Sequence, residues 1–193
     1  MNVLFERFPQ TVDIDGHEYR IVTDFREWIK LSELLKEVDR FTAATLEMLL
    51  EWYIDVPPDT NKAICALQAF LSAEGLYVQE DAAGNEAEDV ARNDGKPVYS
   101  FTHDAHCIYS DFQAVYGIDI ETIPYMHWWK FLTLFGGLPA DTETKERIYY
   151  RGVDLNEIKD KEERKRIKEI KKRLALPECK GKMNDYQIGD VFG

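Results

Sequence analysis

Alternating apolar and polar residues predict a β-hairpin near the start of the chain. Asp15-Gly16 forms a strong two-residue turn signal, because both turn positions need a positive φ. The register that follows from this turn pairs Ile14 with His17, Val12 with Tyr19 and Gln10 with Ile21. One face of the hairpin is then apolar, and we expect it to pack on other elements because an isolated hairpin is marginally stable.

Apolar residues at helical spacing then predict three helices before residue 79. The apolar positions of the first helix are Phe25, Trp28, Ile29, Leu31 and Leu35. The second helix covers about residues 42–54, and Pro57-Pro58 ends it because a proline disfavours helical geometry in the preceding residue. The third begins at Asp59 or Thr60 and is predicted to end at Gly75.

The second half of the sequence predicts four more helical segments. An amphipathic helix runs from Phe101 to Tyr116, and Gly117 ends it. A helix over 124–135 follows, apolar on almost every side. Two charged segments complete the pattern, one reaching about Tyr150 and one covering about 156–176. The fold class is therefore mainly α (α+β), an N-terminal β-hairpin packed on a multi-helix domain with a charged C-terminal helix.

Composition shifts divide this pattern into segments. We expect a hairpin and three helices in 1–79, an acidic loop at 80–97, an aromatic helical part of the same domain at 98–152, a charged helix at 153–177 and a flexible tail at 178–193. A chain of 193 residues is long enough for one sizeable domain.

The charges are unevenly distributed. Residues 1–144 carry 10 bases and 26 acids, whereas 145–176 carry 12 bases and 7 acids. An acidic body repels nucleic acid and anionic membranes, so we expect no membrane partner, and the charge disfavours nucleic acid as a partner. No apolar run is long enough to span a bilayer, and the first ten residues lack the apolar core of a signal peptide. Three widely spaced cysteines argue against a disulfide framework. Together with the missing signal peptide, this predicts a reduced, cytosolic protein.

Candidate chemistry is sparse. His103, His106 and Cys107 form an HxxHC cluster whose residue types could bind a metal, but helical spacing turns both histidines away from the apolar face and no second ligand pair lies nearby. Two solvated histidines and a partly buried thiol are therefore favoured over a metal site. The sequence holds no glycine-rich nucleotide loop and no nucleophile elbow. We expect no enzymatic activity, no catalytic residue, no metal and no cofactor.

Two features are candidates for partner binding. The first is the aromatic set Trp128, Trp129, Phe131 and Phe135; core packing is one interpretation, and the other is that one tryptophan stays accessible and anchors a partner helix or a second copy. The second is the basic terminal helix, whose narrow apolar seam consists of Ile167, Ile170 and Leu174. Acid-to-base pairs at 157–161, 160–164, 162–166 and 169–173 are expected to support this helix. It is expected to contact an acidic surface of the chain or of a partner, with nucleic-acid binding as the alternative.

Several of these residues carry a resemblance to a known family. The motifs Ile118-Asp119, His127-Trp128-Trp129, Phe131 and Gly137-Leu138-Pro139, at these spacings, resemble the phage "gene product fifteen" family of tailed phages and prophages of Gram-positive bacteria. The resemblance covers most of the chain, except the acidic 80–97 segment and the last residues.

The resemblance implies a function that residue patterns alone do not. Genes of this family typically lie just before the tape-measure gene, which implies a tail assembly chaperone that works in the host cytoplasm. Its expected partners are the tape-measure protein and tail-tube subunits. Further copies of the chain are a partner suggested by the aromatic set rather than by the resemblance. The alternative is a structural tail or head-completion component that stays in the virion. A third hypothesis, a small enzyme or metal-dependent nucleic-acid protein, depends on His103, His106, Cys107 and the basic helix.

Overall fold

A computed structural model describes residues 1–37, 42–77 and 97–177 of the chain. The secondary-structure elements of these residues are the strands β1 (Thr11–Ile14) and β2 (His17–Arg20) and the helices α1 (Phe25–Glu37), α2 (Ala43–Leu50), α3 (Thr60–Leu71), α4 (Glu74–Tyr77), α5 (Ala105–Tyr116), α6 (Trp128–Gly136), α7 (Glu143–Gly152) and α8 (Lys161–Leu174). The predicted α+β class with its N-terminal hairpin is confirmed. The predicted tail at 178–193 lies outside the described residues, as does the predicted loop at 80–97 apart from Pro97.

The chain forms two compact units that do not follow its sequence order. Of the described residues, unit 1 contains 1–37, 42–77 and 125–133, whereas unit 2 contains 97–124 and 134–177. Residues 125–133, from the middle of the predicted 98–152 segment, therefore belong to unit 1. Each unit has its own buried apolar residues, for example Trp28 in unit 1 and Phe112 in unit 2, both fully buried.

The hairpin has the predicted register. Val12 pairs with Tyr19 and Ile14 with His17, and Asp15 and Gly16 both have the positive φ values that the turn requires. The backbone N–H of Ile21 also donates to Gln10 O at 3.2 Å. Ile14 and Ile21 are buried, so the predicted apolar face does pack inward. The hairpin is confirmed because local turn geometry and side-chain pattern specify the same register.

Helix α2 is shorter than predicted, because the chain after Leu50 pairs with the end of the hairpin. Ile21 and Tyr53 form an antiparallel bridge, and the N–H of Ile54 donates to Arg20 O at 2.9 Å. The residues that would extend the helix are therefore held in another backbone conformation. Sequence periodicity does not detect this, since apolar residues such as Tyr53 are buried in either conformation.

Helix α6 begins at Trp128, four residues later than predicted. The residues before it run extended alongside the segment that leads into α1. The N–H of Phe25 donates to Met126 O at 2.9 Å, and the N–H of Trp128 donates to Thr23 O at 2.8 Å. Pro124 thus precedes an extended segment rather than a helical first turn, and this pairing joins residues about one hundred positions apart within unit 1.

Helix α3 ends at Leu71, and the prediction that Gly75 ends it is wrong. The chain turns at Ala73, which has a positive φ, and Gly75 lies inside the short helix α4. Gly75 is needed there for a different reason. A Cβ at this position would lie 2.9 Å from Cη2 of Trp129, so the missing side chain makes room for the indole.

In unit 2, helices α5 and α8 also begin later than predicted. Asp104 precedes α5, and the residues from Phe101 form turns instead. Asp160 caps α8 by accepting a hydrogen bond from the N–H of Glu163, so this helix begins at Lys161 rather than near 156. The predicted stop at Gly117 is confirmed, with a left-handed φ of 65°.

Replacing Gly75 by Ala should destabilise the protein by about 1–3 kcal/mol, because the added methyl group overlaps a buried ring that cannot move freely. Gly136→Ala is the matched control, since nothing lies within 4 Å of its Cβ position and alanine suits a helix better. Denaturant titration measures both. A Gly75→Ala variant as stable as the control would contradict the packing described for Trp129.

Candidate functional site

The four aromatic residues predicted to meet a partner are core residues in the structure. Trp128, Trp129, Phe131 and Phe135 expose only 2%, 6%, 1% and 7% of their surface. The expectation that one tryptophan stays accessible is therefore wrong for the chain by itself. The geometry agrees with the core interpretation, and contact of these side chains with a partner stays a prediction.

Both indoles can be buried because each N–H finds an acceptor at the end of α3. Trp128 Nε1 donates to Leu71 O at 2.9 Å, and Trp129 Nε1 donates to Phe70 O at 2.8 Å. These two carbonyls lie in the last turn of the helix, where carbonyl groups lack intrahelical partners. The adjacent tryptophans thus satisfy adjacent helix-end acceptors. Pairing each polar group removes the cost of burying it.

His127 is a second buried polar group of the same motif. Its Nε2 lies 2.8 Å from Pro9 O, and its Nδ1 accepts the backbone N–H of Trp129 at 3.0 Å. These contacts assign a neutral ring with the proton on Nε2. The ring stacks on Phe8 at a centroid distance of 5.0 Å. Burial lowers the pKa of His127, although the Pro9 carbonyl partly opposes this. The His-Trp-Trp motif therefore connects three separate stretches of unit 1.

Unit 2 contains a buried ion pair that sequence analysis missed. Arg151 Nη1 and Nη2 donate to the two carboxylate oxygens of Asp104 at 2.6 and 2.8 Å, and their side chains are 7% and 2% exposed. Although desolvation raises the pKa of Asp104, the hydrogen bonds from Arg151 and from the Ser100 N–H leave it below its ordinary value. The pair is bidentate, the strong geometry for an arginine and a carboxylate.

The remaining donors of Arg151 attach two other segments to this pair. Nε donates to Leu174 O at the end of α8 at 2.7 Å, and Nη1 also donates to Val98 O at 3.2 Å. A second buried acid, Asp111 of α5, accepts the N–H of Thr144 at 2.8 Å and so caps α7 from a neighbouring helix. Buried charges therefore join the helices of unit 2 at defined points.

Helix α8 docks on unit 2 rather than projecting from it. Of its predicted seam, Ile167 is buried, whereas Ile170 and Leu174 are half-buried. Lys171 Nζ donates to Val153 O at 2.9 Å, and Arg164 donates to Ile158 O. The apolar seam is therefore at least partly buried within unit 2 itself.

The acid-to-base pairs expected along this helix do not form. None of the cations of α8 makes an ion pair with a carboxylate of the described residues. The 157–161 and 160–164 pairs fail because their acids precede the helix, and Asp160 is engaged as its cap. Glu162–Arg166 and Glu169–Arg173 have the right spacing but lie on the exposed side, where such pairs contribute little.

The outer face of α8 carries an exposed lysine stripe, defined as Lys161, Lys165, Lys168 and Lys172. Spacings of four, three and four residues place these side chains on one side of the helix over about 16 Å. Elsewhere in the described chain, seven Lys and Arg side chains do form ion pairs. The lysine stripe is therefore a concentrated positive surface on an acidic protein.

The most exposed large apolar side chains of the described residues lie in an N-terminal turn formed by residues 2–6. Leu4 and Phe5 are 81% and 86% exposed. The turn is held by its own hydrogen bonds, because Asn2 accepts the N–H groups of Leu4, Phe5 and Glu6. The carboxylate of Glu6 in return accepts the N–H of Asn2 at 3.1 Å. This local order holds two apolar side chains in solvent, as a binding surface would.

The other residues with candidate chemistry lie apart or are protected. His103 and His106 are exposed as predicted, whereas Cys107 is buried, and burial raises the pKa of its thiol to about 11. In the described ranges, no three His, Cys, Asp or Glu side chains are grouped to hold a metal ion.

A cavity among the leucines of α1, α2 and α3 has a volume of about 20 Å³, room for about one water. No helix in those ranges has the length and apolarity to cross a membrane.

Two signals in the sequence point to buried positions for members of the ion-pair network, but not to their pairing. Arg147 and Arg151 are spaced i,i+4 on a helix that also carries the apolar Ile148, so one of the two arginines was a candidate for an inward position. Asp104 stands directly before the helix that carries the buried Ile108 and Phe112. Neither signal identifies the pairing, because the partners are 47 residues apart in sequence.

The chain matches a known protein family. Residues 4–176 match the model of the family described as bacteriophage Gp15 protein. No curated protein matches the chain, and no solved structure does. The matched range contains all of the described elements, from β1 to α8.

The stability of the protein should depend on the protonation of His127. Burial lowers its folded-state pKa below 6.5, so the unfolded chain binds the proton first as the pH falls. The contribution of His127 is complete above pH 6.5 and declines as the pH falls from 6.5 through the folded-state pKa. Across this range, the free energy of unfolding should depend less steeply on pH in His127→Gln than in the parent. The variant His106→Gln retains His127 and should keep the decline that His127 causes, and equal slopes in both variants would contradict this assignment.

Removing Arg151 should cost much more stability than removing an exposed arginine. Arg151→Ala leaves the buried Asp104 carboxylate without its main partner, a loss of about 3–5 kcal/mol. Arg20→Ala breaks an ion pair of similar geometry at the surface, with Asp55, and should change stability little. Urea unfolding compares the two variants. Similar losses would show that the Asp104–Arg151 pair does not anchor unit 2.

Proposed function

The chain belongs to the bacteriophage Gp15 protein family, and on this premise we propose that it is a tail assembly chaperone that binds the tape-measure protein during tail morphogenesis. Family membership indicates a role in phage structure or morphogenesis. The finer proposal adds a non-enzymatic mode of action, with partners bound through exposed side chains. The observation that carries it is the N-terminal turn with Leu4 and Phe5.

An ordered apolar turn suits binding to an apolar helical polypeptide. A tape-measure protein outside its tube is expected to be long, helical and apolar, and therefore prone to aggregate. Two large side chains held at defined positions fit such a target as anchor residues. Because the turn is already formed, little conformational entropy is lost when it binds. The acidic charge of the chain, −12 in total, favours keeping such a complex in solution.

The size of the exposed turn suits reversible binding. Leu4 and Phe5 together present roughly 300–400 Å² of surface, well below the ~800 Å² per partner of a standard stable interface. A chaperone must be displaced by tail-tube subunits, so weak contacts repeated along the tape-measure protein agree with this role. We extend the proposal to tail-tube subunits as a second partner and to the host cytoplasm as the place of action.

Co-expression with the tape-measure protein encoded nearby tests this proposal. The chain should raise the soluble fraction of that protein and co-purify with it. Leu4→Ser combined with Phe5→Ser should weaken binding by at least about a hundredfold, because each buried apolar side chain contributes about 1.5–3 kcal/mol and about 1.4 kcal/mol is tenfold in affinity. Val115→Ser with Tyr149→Ser, two exposed apolar residues of unit 2, is the matched control and should bind normally.

Two results would contradict the proposal. The first is an insoluble tape-measure protein in the presence of the folded chain. The second is mass spectrometry of purified virions that finds this chain at a fixed copy number, which would favour the alternative of a structural tail or head-completion component.

A further inference from the structure

We propose that the lysine stripe of α8 docks on the outer face of the β-hairpin of a second copy of this chain. The two surfaces would make a head-to-tail contact between copies. The proposal does not depend on the chaperone function, because it involves no partner other than the chain itself.

The hairpin supplies an acidic counterpart to the lysine stripe. Asp13 and Glu18 are directly opposite each other on β1 and β2, and both are exposed. Like charges at opposed positions destabilise a hairpin. No cation of the described residues forms an ion pair with either of them. Within the part of the chain that the structure describes, the hairpin therefore carries an acidic pair without a cationic partner, and α8 carries lysines without an acidic one.

The spacings of the two surfaces agree. Opposed residues of antiparallel strands have Cβ atoms about 4.5–5.5 Å apart. Residues three or four apart on a helix, such as Lys165 and Lys168, have Cβ atoms about 5–6 Å apart. One lysine can thus meet each carboxylate without distortion of either element. The long lysine side chains accommodate the remaining difference in distance.

The charge distribution favours a second copy over nucleic acid. Helix α8 has eight bases and three acids, a net charge of +5, so the rest of the chain carries −17. A polyphosphate that approaches α8 meets repulsion from this remainder, whereas the remainder of another copy attracts α8. Glu162 and Glu169 border the lysine stripe and reduce its attraction for phosphate further.

The net charge of −12 on each copy opposes association, but this repulsion acts over a longer range than the proposed contact. At about 0.1 M salt the Debye length is about 10 Å, which screens distant charges while pairs in contact still attract. At about 1 M salt it falls to about 3 Å, and the contact should weaken too. Association should therefore be visible at moderate salt and be lost at high salt.

Charge exchange between the two surfaces tests the proposal. Lys165→Glu with Lys168→Glu makes one variant, and Asp13→Lys with Glu18→Lys makes the other. In sedimentation equilibrium on the full chain at about 0.1 M salt, the parent should associate with rising concentration, and each variant alone should associate about tenfold more weakly or not at all. An equimolar mixture of the two variants should regain association, because each reversed surface then meets its complement. The control Lys30→Glu with Lys130→Glu has the same net charge as the first variant and should behave as the parent.

The proposal would be overturned if the parent chain stays monomeric at moderate salt, or if the control loses association as strongly as the α8 variant. It would also be overturned if the mixture fails to associate although circular dichroism shows both variants folded. Salt-dependent binding of a DNA duplex that is lost with Lys165→Glu and Lys168→Glu would also overturn it, and would assign the lysine stripe to nucleic acid.

Discussion

Unit 1 depends on the pairing of buried polar groups in the His127-Trp128-Trp129 motif with backbone carbonyl groups. Three ring nitrogens meet the carbonyls of Pro9, Phe70 and Leu71 at 2.8–2.9 Å. The large rings supply apolar burial, and the hydrogen bonds determine where that burial can occur, because a misplaced N–H would remain unpaired. Short helices and a two-stranded hairpin, each marginal alone, are thereby joined into one unit.

In unit 2, a buried ion pair rather than neutral hydrogen bonds holds separate segments together. Arg151 uses one guanidinium group to hold a carboxylate at the start of α5 and a carbonyl at the end of α8. Such a pair contributes little net stability compared with apolar packing, but it is costly to break and so favours one arrangement of the helices. These groups are engaged inside the chain, and the contacts that we propose use other side chains.

The two contacts that we propose use different exposed side chains. The N-terminal turn presents apolar side chains, and the lysine stripe presents charge. The two use different physical forces, since salt screens charge pairing, whereas apolar burial does not depend on attraction between charges. Contact with an apolar client and contact between copies could therefore respond to different conditions.

The sequence by itself determined the elements whose structure is local. The hairpin register follows from Asp15-Gly16 and strand alternation, and the stop at Gly117 follows from the readiness of glycine to adopt a left-handed φ at a helix end. The family was also evident from sequence, because its motif consists of residues with fixed spacing. The tertiary structure decided the later start of α6, the role of Gly75 as room for an indole and the pairing of Asp104 with Arg151. It also buried both tryptophans, which had been candidates for partner contact. Each of these depends on residues dozens of positions apart, and no local periodicity encodes which distant carbonyl, ring or carboxylate will complete a buried polar group.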